Sequence, residues 1–192
     1  MEKDIPYIAI FASGTGSNAV KIISHFKENN IEANFCILSN KKDAPVLQKA
    51  AELNIETFSF GRKDFAENDT VLNYLKEKNI KLIVLAGFLW LVPKNLIENY
   101  PEKIINIHPA LLPNYGGKGM YGMKVHTAVV ENKEKTSGIT IHFVDEHYDH
   151  GKHILQKSFD VLPDDSPEMV AKKVQQLEHK YFPQVVENLY LQ

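Results

Sequence analysis

Short, unbroken apolar runs alternate along this chain with longer stretches in which apolar residues recur every three or four positions. The runs at 7–12, 34–38, 81–87 and 104–108 have the length and the β-branched and aromatic content of buried strands, and 55–60 reads as a short strand. Helical spacing fills the gaps: Ala19, Ile22, Ile23 and Phe26 after the first run, then 44–53 behind Asp43 and Pro45, then 68–78 with Val71, Leu72 and Leu75 on one face. This alternation, with its short connections, predicts an α/β fold built on a doubly wound, mostly parallel sheet with helices on both faces. A further helix is expected over 124–132, followed by strands over 136–144 and 153–160. Ser166 and Pro167 then open a long C-terminal helix that carries Val170, Val174, Leu177 and Tyr181 on one face. No internal repeat or low-complexity tract interrupts the pattern.

The polar residues that break this pattern gather where strands end. Asn106 and His108 punctuate the run 104–108, and their spacing of two puts them on one side of an extended backbone. Pro109 then bars further regular pairing. Such a strand delivers an amide and an imidazole to its C-terminal tip, where ligands of open α/β sheets bind. The alternative is a satisfied core asparagine and a capped histidine. After the first strand, Ser13-Gly14-Thr15-Gly16-Ser17-Asn18 leads into a helix, a combination that gathers unpaired N–H groups and the positive end of the helix dipole into an anion site. Ser17 and Asn18 can add donors or cap the helix; a tight turn that binds nothing is the alternative. Gly14, Gly16 and Ala19 also satisfy a dinucleotide pattern, but the second strand ends in Ser39-Asn40-Lys41-Lys42 without the acidic residue that NAD requires, which favours a simple phosphate ester. Phe88, Leu89, Trp90, Leu91 and Val92 follow the 81–87 strand directly, and read either as core packing or as an aromatic wall for a flat heteroaromatic ligand. Gly116, Gly117, Gly119 and Gly122 crowd the segment 114–123, which predicts a mobile lid or loop with Lys118 and Tyr115 or Tyr121 as candidate ligand contacts.

Composition narrows the class. A chain of 192 residues with 44% hydrophobic content suits one domain. Its net charge of -2 offers no reason to expect nucleic-acid or membrane partners. Cys36 is the sole cysteine, so no intrachain disulfide forms, and a reducing cytoplasmic setting is expected. No apolar run reaches the roughly 18 residues of a membrane span, and residues 1–6 lack the apolar core of a leader peptide. The tail 187–192 resembles an engineered cleavage sequence, yet Val185, Val186 and Leu189 continue the helical spacing, so it is read as native.

Four stretches, Ser13-Gly14-Thr15-Gly16-Ser17-Asn18, Val84-Leu85-Ala86-Gly87-Phe88, Ile105-Asn106-Ile107-His108-Pro109-Ala110-Leu111-Leu112-Pro113 and Asp149-His150-Gly151, match one family in order and spacing. Over essentially its whole length the chain resembles the phosphoribosylglycinamide formyltransferases, folate-dependent enzymes of purine synthesis. The resemblance implies a single Rossmann-like formyltransferase domain over 1–192, with phosphate and ribonucleotide binding in its N-terminal half and folate binding and catalysis in its C-terminal half. It implies formyl transfer from 10-formyltetrahydrofolate to the amine of glycinamide ribonucleotide, by a monomer or weak homodimer that requires no metal. Gly16, Ser17 and Asn18 match the phosphate turn, and Gln175, Gln176, Leu177 and Glu178 the ribonucleotide contact, with Glu178 facing the ribose hydroxyls. Leu89, Trp90, Leu91 and Val92 match the segment that edges the pterin, while Asp145, Glu146, His147, Tyr148 and Asp149 match the loop closing the folate side. Asn106, His108 and Asp149 match the catalytic set: an oxyanion donor, a general acid, and the carboxylate that favours the charged form of that imidazole.

Three departures stand beside the match. His142, His147, His150 and His153 give an H-x4-H-x2-H-x2-H pattern that invites a metal reading, although its spacing fits no established ligand set and the chemistry needs none. The 114–123 loop is longer than in some relatives, so its contacts do not carry over. Arg62 is the candidate for an expected arginine near the folate. Rival readings are a transfer-RNA formyltransferase or a formyltetrahydrofolate hydrolase, for whose extra domains this length leaves no room, and an NADP-binding module, which leaves Asn106, His108 and Asp149 unused.

Overall fold

A computed structural model describes residues 5–192; the expectation about a leader peptide falls largely on residues 1–4, outside the described residues. The elements run β1 (Tyr7–Phe11), α1 (Ser17–Glu28), β2 (Asn34–Ser39), α2 (Pro45–Glu52), β3 (Glu56–Ser59), α3 (Arg62–Ala66) and α4 (Thr70–Glu77). They continue with β4 (Ile80–Leu85), α5 (Lys94–Asn99), β5 (Ile104–His108), α6 (Met123–Glu131), β6 (Thr136–Phe143), β7 (His153–Asp160) and α7 (Pro167–Leu191). Two short helices, α3 and α5, were not foreseen as separate elements: five and six residues are too few to display an apolar period.

The strands form one seven-stranded sheet in the order β3-β2-β1-β4-β5-β6-β7. β1 to β5 pair in parallel, β6 runs antiparallel to β5, and β7 antiparallel to β6, so the doubly wound, mostly parallel expectation holds. The chain leaves β1 toward β2 and β3 and comes back to β4 on its other side. That reversal opens a crevice at the C-terminal ends of β1 and β4, with β5 beside them.

Alternation along the strands divides the apolar residues between two cores. Ile8 and Ile10 of β1, Val84 of β4 and Ile105 of β5 face α1 and α7, where they meet Ile22, Phe26, Val174, Phe182 and Val186. Ala9 and Phe11, Ile83 and Leu85 face the opposite side, against Val71 and Leu75 of α4 and Leu96 of α5. Ser166 caps α7 by accepting from the Met169 N–H, as its sequence predicts. The helix continues through the tail to Leu191, where Tyr190 is buried with its hydroxyl 3.1 Å from the Pro6 carbonyl and 3.2 Å from that of Glu32. No helix among the described residues is long and apolar enough to cross a membrane.

Candidate active site

The crevice is a cavity of about 630 Å³, built from the loops that follow β1, β4 and β5, with the 117–122 segment, the β6–β7 loop and α7 completing its walls. At the β1 end, Gly16 takes φ 70 and precedes the first turn of α1 with no side-chain cap. A Cβ there would sit 2.2 Å from Val46 Cγ2, so only glycine lets α1 start this close to α2. The N–H groups of that turn therefore remain open to a ligand. Asn18 does not cap the helix: its Nδ2 donates to Glu178 Oε2 at 3.0 Å, and its Oδ1 is buried without a partner. Burial pushes the Glu178 carboxyl up, against the lowering effects of Asn18 and of the His108 charge.

At the β4 end, Leu89, Trp90, Leu91 and Val92 all line the cavity. Core packing is part of what this stretch does, because Trp90 also packs against Phe65 and Phe60 at centroid distances of 5.9 and 6.2 Å. Leu89 and Leu91 remain over 40% exposed, an apolar lane without a covering element.

Asn106 and His108 project from β5 into the cavity on one side of the strand. Asp149 comes to them from the β6–β7 loop, held at φ 58, with Oδ2 3.4 Å from His108 Nδ1 and Oδ1 3.4 Å from Asn106 Nδ2. The Gly117 N–H donates to Asp149 Oδ2 at 2.9 Å. Burial alone would raise this carboxyl, but the imidazoles of His108 and His142 and the Gly117 N–H outweigh it and hold the group well below the usual carboxylate range. His108 donates its Nε2 hydrogen to the Tyr115 carbonyl at 2.7 Å. The site thus presents an amide, an imidazole and a buried carboxylate that stays ionised.

Two further histidines belong here that sequence reasoning did not assign. His142 sits opposite Asn106 in the antiparallel β5–β6 register, with Nε2 3.1 Å from Asn106 Nδ2 and 3.6 Å from Asp149 Oδ1, while Nδ1 donates to the Phe143 carbonyl. Only the strand pairing brings it there; in the sequence it was visible solely as one histidine of a spaced set. His126 of α6 is buried against the cavity, and burial together with the His108 charge pushes its imidazole down. Its apolar helical neighbourhood, Val125 and Val129, gave no signal beyond a histidine at a buried position.

Other expected residues fall differently. Ser17, Gln175, His147 and Tyr148 line the cavity, whereas Gln176 is exposed and Leu177 packs on the core, as one helix face cannot present four consecutive residues. Asp145 and Glu146 lie outside the lining; the Asp145 carboxylate accepts from the His147 N–H at 2.8 Å. Arg62 is also outside it, with its guanidinium 5.4 Å from the Trp90 ring centroid. Tyr115 turns its hydroxyl away to Glu134, while Lys118 and Tyr121 line the cavity. Among the described residues no group of three His, Cys, Asp or Glu side chains could hold a metal ion. His142 is buried in the site, while His147 and His150 pair ring to ring 5.6 Å apart on the outer loop.

A formyl transferase family profile matches residues 7–186. The chain is 36% identical over 186 residues to the phosphoribosylglycinamide formyltransferase of Bacillus subtilis (strain 168), covering 94% of this chain and 93% of that protein. It is 39% identical over 185 residues to the chloroplastic phosphoribosylglycinamide formyltransferase of Arabidopsis thaliana. The chain spans 63% of the length of that plant relative and 60% of the corresponding protein of Vigna unguiculata. Among solved structures, glycinamide ribonucleotide transformylase 1 from Geobacillus kaustophilus matches with a TM-score of 0.87 at 30% identity, covering 97% of this chain and 99% of that one.

Proposed function

The chain belongs to the formyl transferase family, and from that premise we propose that it moves the formyl group of 10-formyltetrahydrofolate to the primary amine of 5-phosphoribosylglycinamide, giving the N-formyl ribonucleotide and tetrahydrofolate. The observation that carries this reading is the convergence of Asn106, His108 and Asp149 in one cavity with an uncapped helix N-terminus and an apolar lane. The helix terminus at Gly16, Ser17 and Asn18 suits the phosphate, Glu178 the ribose hydroxyls, and Leu89 to Val92 the flat pterin.

The amine attacks the formyl carbon; a C–N bond forms and the carbonyl π pair moves to oxygen. Asn106 can stabilise that oxyanion through an Nδ2 hydrogen. Of its two contacts the 3.4 Å one to Asp149 is the weaker, and is the one to exchange. The folate nitrogen is a poor leaving group until protonated, and His108 supplies the proton once its Nε2–H leaves the Tyr115 carbonyl. The attacking nitrogen sheds one proton as the leaving nitrogen gains one, so charge balances over the cycle. Asp149, ionised at neutral pH, compensates the imidazolium.

A spectrophotometric assay with glycinamide ribonucleotide and a 10-formyl folate, run with a metal chelator and beside a control without the ribonucleotide, tests this. Deformylation only when the ribonucleotide is present is the expected result. Deformylation in the control would mean a folate hydrolase instead, and none in either would remove the transferase reading.

A further inference from the structure

Under the formyl-transfer reading the cavity accommodates anionic groups at both ends, the phosphate of the acceptor and the glutamate of the donor. Yet its lining holds a single ammonium or guanidinium among the described residues, that of Lys118. Arg62, the cation expected near the folate, does not line the cavity; its guanidinium lies 5.4 Å from the ring centroid of Trp90, which does. Lys118 also lines a second cleft of about 370 Å³, shared with Leu91, Tyr148 and Asp149 but with no residue of the Gly14–Asn18 turn. It therefore stands where the apolar lane meets this side cleft, on the folate side of Asp149.

The ammonium is uncommitted. Lys118 makes no ion pair with any described carboxylate: of the two that line the side cleft, Glu146 faces Lys94 at 3.8 Å, and Asp149 is engaged by His108, Asn106 and the Gly117 N–H. The backbone, by contrast, is held. Gly117 and Gly119 take φ +92 and +91, which side chains rarely tolerate, and the Met120 N–H closes the turn on the Gly117 carbonyl at 3.1 Å. The Gly117 N–H donates to Asp149, so the carboxylate that faces His108 also anchors the turn bearing Lys118.

We propose that Lys118 binds the glutamate carboxylate of the formyl folate, a donor-specificity contact that rests on the formyl-transfer reading. The donor is flat and apolar through its pterin and aryl rings and anionic only at its glutamate, and Lys118 shares the side cleft with Leu91 of the apolar lane and with Tyr148, apart from the Gly14–Asn18 turn. An ammonium on a flexible stem acts as a point charge that follows a mobile carboxylate without demanding one geometry.

Steady-state kinetics of the wild-type chain, Lys118→Ala and Lys118→Arg with two donors decide it: 10-formyltetrahydrofolate, and the 10-formyltetrahydropteroate that lacks glutamate. In Lys118→Ala, kcat/KM for the glutamyl donor falls about fivefold, chiefly through KM, as expected of one exposed charge contact. The corresponding fall for the pteroate donor is at most twofold, Lys118→Arg retains most of the preference, and the difference shrinks at high salt. Equal losses for both donors, or a rise confined to the KM of the ribonucleotide, would overturn the assignment, the latter placing the lysine on the phosphate. Wild-type turnover in the same series reports separately on the underlying reading, because its absence with both donors would remove formyl transfer itself and this contact with it.

Discussion

At His108, two contacts limit what the imidazole can do. Tyr115 holds one ring nitrogen through a backbone carbonyl and Asp149 faces the other, so the ring is oriented by a loop on one side and a buried charge on the other. Under the proposed formyl transfer, removing the ring removes the general acid, and His108→Ala should lower kcat by about 10³-fold. Asp149→Asn keeps the shape but not the charge and should cost about 10²-fold. In both variants KM for either substrate should stay within about threefold, since neither side chain is the main anchor of the phosphate or pterin. Steady-state kinetics check this, and near-native kcat in both would remove their catalytic roles. Cys36 is the opposite kind of residue: fully buried, with its thiol pushed up to about 12 by burial, it packs in the core as a small hydrophobe.

At the scale of elements, the start of α1 and the end of α7 carry the sharpest demands. Gly16→Ala would place a methyl 2.2 Å from Val46 Cγ2 in a left-handed conformation, so α1 and α2 must separate. The expected cost is about 2 kcal/mol or more in denaturant unfolding, together with weaker ribonucleotide binding. At the other end, Tyr190 fills the core beside Phe26 at 5.6 Å between ring centroids and reaches two backbone carbonyls. Tyr190→Ala should destabilise the fold by about 3 kcal/mol while leaving KM for both substrates close to wild type, because the residue lies outside the cavity. A shift in the denaturant midpoint without a change in slope is the signature to look for.

For the whole molecule, the ionised Asp149 couples the site to global stability. Its folded-state carboxyl titrates below the ordinary carboxylate value near 4, so the unfolded chain binds more protons than the native one in acid. The stability it contributes is complete above that value and is lost as pH falls toward the depressed folded value. Wild type should therefore exceed Asp149→Asn in unfolding free energy at pH 7, with the gap closing below about pH 4. Chemical unfolding of the two proteins from pH 7 to pH 3 measures this; a gap independent of pH would assign the stability to something other than this charge.

The alternation of apolar runs and helical spacings was enough, by itself, to determine the parallel sheet, the long α7 and the two-residue step that points Asn106 and His108 the same way, because each depends on neighbours in sequence. The glycine turn was legible for the same reason. Whether Asn18 caps its helix or bonds Glu178, 160 positions away, is a choice made by the packing of α1 on α7. His142 joined Asn106 only through the register of an antiparallel pair, and Arg62 came to lie over the ring of Trp90 without lining the cavity itself. Lys118 was visible among glycines, but its place at the junction of two clefts depends on Asp149 anchoring the turn from 32 residues away. Local periodicity determines which elements form and which faces they bury; long-range pairing and packing decide which polar groups meet, because their partners are distant in sequence and leave no periodic trace there.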